Sequence, residues 1–131
     1  MSDPKELFDA AMAAMGKAYA PHSDFPVGAA VRAASGAVYS GCNVENASYP
    51  EGWCAETSAI AQMVLAGDRE IIEVAVVAER MALVPPCGGC RQRIKEFGTE
   101  ATLIHLCDDT GIVETATLGE LLPRGFGIDG R

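Results

Sequence analysis

The sequence has little positive charge and no long apolar run. Its 10 Lys and Arg residues stand against 18 Asp and Glu, which gives a net charge of −8. An acidic surface repels phosphate backbones, so we expect no nucleic-acid partner. Apolar runs such as residues 74–78 are far shorter than the ~20 residues of a membrane-spanning helix, so no membrane partner is expected.

The sequence also lacks repeats, low-complexity tracts and linkers. We therefore expect a single domain over residues 1–131, long enough for one hydrophobic core. The N-terminus shows no basic region followed by an apolar stretch, so we expect no signal peptide and a cytoplasmic protein.

Hydrophobic periodicity and turn residues predict alternating helices and strands. Asp3, Pro4 and Glu6 are typical of a helix start, and the apolar stripe that follows predicts a helix to about Tyr19. Further helices are predicted at 54–66, at 87–97 and from Thr117, and strands at 27–34, 37–42, 71–79, 101–107 and 112–116. This alternation predicts an α/β fold with crossover connections.

Three cysteines occupy equivalent places in the predicted crossover helices. Cys54 begins one helix, Cys87 begins the other, and Cys90 lies in the first turn of the second. Strands that point the same way would bring the starts of both helices to one edge of the sheet. We therefore expect these three thiols to meet.

Helix N-termini carry partial positive charge, which favours thiolates and a tetrahedral ion such as Zn²⁺. A closed structural site needs a fourth protein ligand. Cys42, Cys107, His22 and His105 have no partner at short spacing, so ordinary packing is the preferred interpretation of each. Three ligands and an open fourth position are typical of a catalytic zinc site.

Glu56 follows Cys54 by two residues. On its own it could simply complement the dipole of its helix. Beside a metal site, a carboxylate can carry a proton from a water to a substrate. The combination with Pro86-Cys87-Gly88-Gly89-Cys90 favours the catalytic interpretation.

These motifs resemble the signature of zinc-dependent nucleoside and nucleobase deaminases, Cys54-Ala55-Glu56 and Pro86-Cys87-x-x-Cys90. Most of the chain, from about residue 19 to 127, is similar to the small three-cysteine cytidine deaminases of the cytidine/deoxycytidylate deaminase family. The stretches that carry the similarity are FPVGAA at 25–30, GCNVENASY at 41–49, CGGCRQ at 87–92 and ELLPRGFG at 120–127.

The resemblance implies a three-layer α/β/α fold with a mixed five-stranded sheet and a Zn²⁺ ion at two helix N-termini. Its ligands would be Cys54, Cys87 and Cys90. The implied reaction is hydrolytic deamination of cytidine or deoxycytidine to uridine or deoxyuridine plus ammonia, in pyrimidine salvage. Zinc-bound hydroxide would attack C4 while Glu56 moves protons. The implied partners are a small nucleoside and further copies of the chain, in a homotetramer with active sites at subunit interfaces.

The resemblance also implies a set of substrate-binding residues: Phe25 at the base, Asn43 and Glu45 at the ribose, Ala55, Tyr49 near the subunit contact, and Phe126 reaching the base in a neighbouring subunit. Glu45 would bind the 3′-hydroxyl. From the residues alone, a polar loop that bonds its own backbone is the preferred interpretation of Asn43 and Glu45, and ordinary core packing is the preferred interpretation of each aromatic residue.

Three positions depart from the family's usual pattern. Thr57 stands where an Arg commonly follows the catalytic Glu and offsets thiolate charge. We therefore expect a raised pKa for zinc-bound water and lower activity near neutral pH. Trp53 and His22 are also atypical, which bears on substrate preference.

Three alternatives remain at this point. A redox protein would explain Cys87 and Cys90 alone. A zinc-stabilised binding module would need a fourth protein ligand. A deaminase of another aminated nucleoside, such as blasticidin S, would share the zinc site.

Overall fold

The computed structural model of the protein describes residues 3–79, 81 and 83–128. The first two and last three residues of the expected 1–131 domain lie outside these ranges. The elements in chain order are α1 (Pro4–Met15), β1 (Val27–Ala33), β2 (Val38–Cys42), a 3-10 turn (Tyr49–Glu51), α2 (Ala55–Ala66), β3 (Ile71–Ala78), α3 (Gly88–Phe97), β4 (Leu103–Asp108), β5 (Gly111–Thr117) and α4 (Leu118–Leu121). Within the described ranges, no helix is long and apolar enough to cross a membrane.

The five strands form one mixed sheet in the order β2-β1-β3-β4-β5. β1 is antiparallel to both β2 and β3, so β2 and β3 point the same way. β4 is parallel to β3, and β5 runs antiparallel to β4 after a tight turn. The two connections between parallel strands contain α2 and α3, which confirms the expected crossovers.

Helices cover both faces of the sheet. On one face, Leu7 and Ala11 of α1 pack against Ala75 and Val77 of β3. The alternate residues of β3 face the other side and share a core with residues of α2 and α3, a cluster that includes Val74, Val76, Ala59, Met63 and Ile94. This arrangement confirms the three-layer α/β/α fold and explains why β3 is apolar on both faces.

The first helix is shorter than predicted. It ends at Met15, with Gly16 as its C-cap, so the expectation of a helix to about Tyr19 is wrong. Tyr19 instead pairs with Val44: its N–H donates to the Asn43 carbonyl, and its own carbonyl accepts from the Glu45 N–H. The other predicted boundaries differ from the structure by two residues or fewer, within the usual spread of boundary assignments.

A buried polar network ties β1, β3 and β4 together beneath α1. Arg32 Nε donates to Glu73 Oε1 at 2.9 Å, and His105 Nε2 shares a hydrogen bond of 2.8 Å with Glu73 Oε2. Arg32 Nη1 also donates to Glu6 of α1 at 3.0 Å. The network uses His105 as a structural residue, in agreement with the packing role expected for it.

Close packing of α1 on β1 requires a glycine. A Cβ added at Gly28 would lie 2.0 Å from the Ala11 carbonyl oxygen and 2.7 Å from the Met15 nitrogen.

We expect Gly28→Ala to lower the free energy of unfolding by about 1–3 kcal/mol, since the backbone must shift. Gly16→Ala is the control, because Gly16 is in the right-handed helical region and a Cβ there comes no closer than 3.5 Å to Ala13. It should change stability by less than about 1 kcal/mol. Urea unfolding measures both, and a Gly28→Ala variant as stable as wild type would contradict this account of the packing.

Candidate active site

The three cysteines meet at one edge of the sheet, as expected. Cys54 is the N-cap of α2, Cys87 is the N-cap of α3, and Cys90 lies in the first turn of α3. Their sulfur atoms all lie within 4.8 Å of one another, and the Sγ atoms of Cys54 and Cys87 are 4.0 Å apart. The cluster forms because β2 and β3 are parallel, so the helices that follow them start side by side.

The geometry and chemistry of the cluster fit zinc. With Zn–S bonds of about 2.3 Å, the sulfurs of a tetrahedral site are about 3.8 Å apart, close to the Cys54–Cys87 separation. Cys42 and Cys107 are also free thiols but lie outside the cluster. In the described part of the chain, no fourth Cys, His, Asp or Glu joins the group. A three-thiolate site with one open position therefore remains.

The thiols differ in how readily they ionise. A hydrogen bond from Cys90 lowers the pKa of the Cys54 thiol, with further help from Cys87 and the charge of Arg93. The same hydrogen bond, together with burial, raises the pKa of Cys90. Zinc binds the thiolate form, so metal binding at the cluster would release the thiol protons.

Glu56 lies beside the cluster in the first turn of α2 and is buried, with 4% of its surface exposed. Burial raises the pKa of its carboxyl to about 7, and the charge of Cys54 adds to the effect. A group with a pKa near neutrality can both accept and donate a proton at physiological pH. This is the property expected of Glu56 as a proton carrier.

A cavity of about 340 Å³ opens next to the cluster. Its lining joins the reactive residues to the expected substrate residues: Asn43, Glu45, Tyr49, Cys54, Ala55, Glu56 and Cys87, with Val27, Val44, Gly52, Trp53, Val76, Val84 and Pro85. Mostly apolar walls with a few polar groups are typical of small-molecule sites of this size.

Asn43 and Glu45 line this cavity together, yet both also bond the protein itself. Asn43 Oδ1 accepts from the Val27 N–H at 2.9 Å, and its Nδ2 donates to the Phe25 carbonyl at 3.0 Å. Glu45 Oε1 accepts from the N–H groups of His22 and Ser23 at 2.8 and 3.1 Å. Each side chain keeps part of its hydrogen-bonding capacity for a ligand.

The Ser23 hydroxyl also donates to Glu45 Oε2, and this bond lowers the pKa of the Glu45 carboxyl. Glu45 is therefore held as an acceptor at neutral pH. His22, one of the atypical positions, lies in a second cavity of about 370 Å³ that shares Glu45 and Tyr49 with the first.

The aromatic residues expected at the site take different positions. Phe25 is half-buried and is not part of the cavity wall; its carbonyl is fixed by Asn43. Tyr49 and Trp53 are exposed at the cavity by 76% and 53% of their surface. Phe126 is 72% exposed and away from this cavity, so it does not complete the site of its own chain.

Sequence reasoning missed two features of the site. Ser23 was not singled out, although it bonds Glu45. Arg93 was not singled out either, although its Nη1 lies 3.9 Å from Cys90 Sγ. An Arg three residues after the second cysteine of the Cys87-x-x-Cys90 motif was the signal available in the sequence, because residues three apart on a helix lie close together.

Comparison with known proteins agrees with this geometry. Residues 1–106 match the family model described as "Cytidine and deoxycytidylate deaminase zinc-binding region". The chain is 41% identical to the cytidine deaminase of Sporosarcina psychrophila over 95% of this chain and 91% of that protein. It is 40% identical to the cytidine deaminase of Mycobacterium tuberculosis, over 92% and 86%. The crystal structure of cytidine deaminase from Burkholderia pseudomallei superposes with a TM-score of 0.89 at 42% identity, over 95% of this chain and all of that one.

The cysteine cluster leads to a test with controls inside the same chain. Cys54→Ser, Cys87→Ser and Cys90→Ser should each weaken zinc binding by more than the roughly 10- to 100-fold that loss of an outer-shell partner costs. Cys42→Ala and Cys107→Ala should each keep one zinc per chain, because these thiols lie outside the cluster. Metal analysis after dialysis against a chelator measures the difference. If any one of the three serine variants retained its zinc fully, the cysteine replaced in that variant would not be a zinc ligand.

Proposed function

The chain belongs to the cytidine and deoxycytidylate deaminase family, and on that premise we propose that Cys54, Cys87, Cys90 and Glu56 form its active centre. The reaction is the zinc-dependent hydrolytic deamination of cytidine, with deoxycytidine as the second proposed substrate. The observation that carries the assignment is the convergence of three thiols beside a buried carboxyl, with Cys54, Cys87 and Glu56 in the wall of one cavity.

Cys54, Cys87 and Cys90 would hold the zinc ion through their sulfurs. Bound zinc supplies Lewis acidity, which makes water a nucleophile at neutral pH. The N-termini of α2 and α3 favour the thiolate form of the ligands, because free N–H groups and the helix dipole stabilise negative charge there.

Glu56 would carry the protons that the reaction moves. Water adds its oxygen to C4 of the pyrimidine, and Glu56 takes a proton from it and delivers it to N3. Glu56 then takes the second proton of that water from the new C4 hydroxyl and transfers it to the amino group, the C4–N bond breaks, ammonia leaves, and C4 becomes the carbonyl of uridine. A carboxyl with a pKa near 7 can perform both transfers without a large energetic cost.

The sugar would lie beside Asn43 and Glu45 in the same cavity. Glu45 would accept a hydrogen bond from the 3′-hydroxyl, and Asn43 would use its remaining amide capacity on the ribose. Ala55 and Phe25 would lie near the base. The internal bonds of Asn43 and Glu45 hold both side chains in place before substrate arrives, which lowers the entropic cost of binding.

We further propose a homotetramer with active sites at subunit interfaces. Its support is the exposure of large apolar side chains, Tyr49 and Trp53 at the cavity and Phe126 away from it. In this assembly Phe126 would reach a neighbouring subunit's base, and Tyr49 would lie near the contact. Burial of such side chains is a common source of stability in obligate oligomers.

A cytoplasmic single-domain enzyme of pyrimidine salvage completes the proposal. All five cysteines are free thiols, which suits a reducing compartment. The net charge of −8 favours a nucleoside over a nucleic-acid substrate.

The alternatives are not favoured. A redox pair of Cys87 and Cys90 leaves the approach of Cys54 unexplained. A closed structural zinc site lacks a fourth ligand within the described ranges. A blasticidin S deaminase has no support among the relatives reported, which are named cytidine deaminases.

Loss of the proposed proton carrier should slow turnover strongly and leave the metal in place. We expect Glu56→Gln to lower kcat for cytidine by roughly 10²- to 10⁴-fold, the usual contribution of general acid–base catalysis. Ammonia release measures turnover, and metal analysis should still find one zinc per chain. Glu114→Gln, an exposed change on β5, is the control and should be fully active. A Glu56→Gln enzyme that turns over at the wild-type rate would contradict the proposal.

The role of Glu45 can be separated from its local structural bonds by changing the substrate. Glu45→Gln should lower kcat/KM for cytidine by about 10- to 100-fold, since one hydrogen bond to a charged group is worth about 1.5–3 kcal/mol. With 3′-deoxycytidine, which lacks the hydroxyl, the same substitution should cost little. Equal losses with both nucleosides would show that Glu45 acts only by holding the loop at Ser23.

A further inference from the structure

The proposed zinc site concentrates negative charge. Three thiolates around a divalent ion leave a net charge of −1, and Glu56 lies in the same first turn as the Cys54 cap. Position 57 holds a neutral residue: Thr57 Oγ1 lies 3.9 Å from Cys90 Sγ and brings no positive charge. A compensating cation must therefore come from another element.

Arg93 supplies a cation from α3. Its Nη1 lies 3.9 Å from Cys90 Sγ, three residues earlier on the helix. A Cβ added at Gly89 would lie 3.4 Å from the same Nη1, so the guanidinium folds back over the first helical turn. Long side chains in helices point towards the N-terminus in this way.

The neighbouring Arg91 has a different task. Its Nε donates to the Pro86 carbonyl at 2.7 Å, and its Nη1 donates to the Leu121 carbonyl at 2.8 Å. These bonds tie the segment before α3 to the C-terminal helix α4. Arg91 is thus occupied by backbone carbonyls, whereas the guanidinium of Arg93 faces a sulfur.

We propose that Arg93 is a positioning residue that compensates the thiolate charge of the cluster and thereby strengthens zinc binding, in place of a cation at position 57. The inference rests on the proposed function, because it takes the three cysteines as zinc ligands. The charge that the sequence lacks at Thr57 is therefore supplied from the other helix.

The test is zinc affinity, measured by competition with a chromophoric chelator. Arg93→Gln should weaken zinc binding by about 10-fold or more, within the roughly 10- to 100-fold range known for outer-shell partners. Arg93→Lys keeps the charge and should retain most of the affinity. Arg93→Gln combined with Thr57→Arg returns a cation from α2 and should recover part of it. Added salt should narrow the gap between wild type and Arg93→Gln, because the side chain is exposed.

Two controls separate this role from folding and from net charge. Arg69→Gln makes the same change in charge beyond the C-terminal end of α2, where Arg69 bonds the Val64 carbonyl; its zinc affinity should equal that of wild type. The metal-free Arg93→Gln protein should melt at the wild-type temperature. Its cobalt-substituted form should keep the thiolate-to-metal absorption of three sulfur ligands.

Unchanged zinc affinity in Arg93→Gln, with wild type binding one zinc, would overturn the role of Arg93. So would an equal loss in Arg93→Gln, Arg93→Lys and the combined variant, since charge would then be irrelevant. A wild-type protein that binds no zinc would instead overturn the proposed function, so the two failures are distinguishable.

Discussion

The shared direction of β2 and β3 is the constraint on which the site depends. Each strand is followed by a helix that begins with a cysteine, and parallel strands place both helix starts at one edge. Gly41 of β2 lets α2 come close, since a Cβ there would lie 2.4 Å from the Ala59 nitrogen. The close packing of α2 on β2 positions Cys54 and Glu56 together, because Cys54 is the N-cap of α2 and Glu56 lies in its first turn. The cysteine cluster and the buried carboxyl of Glu56 therefore both follow from one packing arrangement.

A buried polar network on the opposite face of the sheet fixes the register of the strands. Glu73 of β3 bonds Arg32 of β1 on one side and His105 of β4 on the other, and His105 Nδ1 shares a bond of 2.8 Å with the Thr115 hydroxyl of β5. The described residues contain no buried side-chain N or O atom without a hydrogen-bond partner. Removal of one member of such a buried ionic group typically costs about 3–5 kcal/mol, because the remaining charge is left unpaired. The network thus holds four strands in one register beneath α1.

The sequence predicted those features that depend on local pattern. Residues close together along the chain predict the alternation of strands and helices, the apolar character of β3 and the cysteines at the two helix starts. The predicted end of α1 was wrong because Tyr19 pairs with Val44, 25 residues further along the chain. The local pattern of apolar residues contains no information about such a contact. The Ser23–Glu45 bond and the approach of Arg93 to Cys90 were missed because they depend on where side chains turn after packing. Residue roles at the site, unlike the fold, remain predictions.

The charge of Arg93 acts on the Glu56 carboxyl as well as on the cysteine cluster. Burial is the main cause of the raised pKa of Glu56, and the charge of Arg93 opposes it only as the smallest contribution. Arg93 acts on Cys90 of its own helix, where its Nη1 lies 3.9 Å from the Sγ atom. Compensation of the thiolates by Arg93 is therefore compatible with a carboxyl whose pKa burial raises to about 7, a value suited to a residue that both accepts and delivers protons.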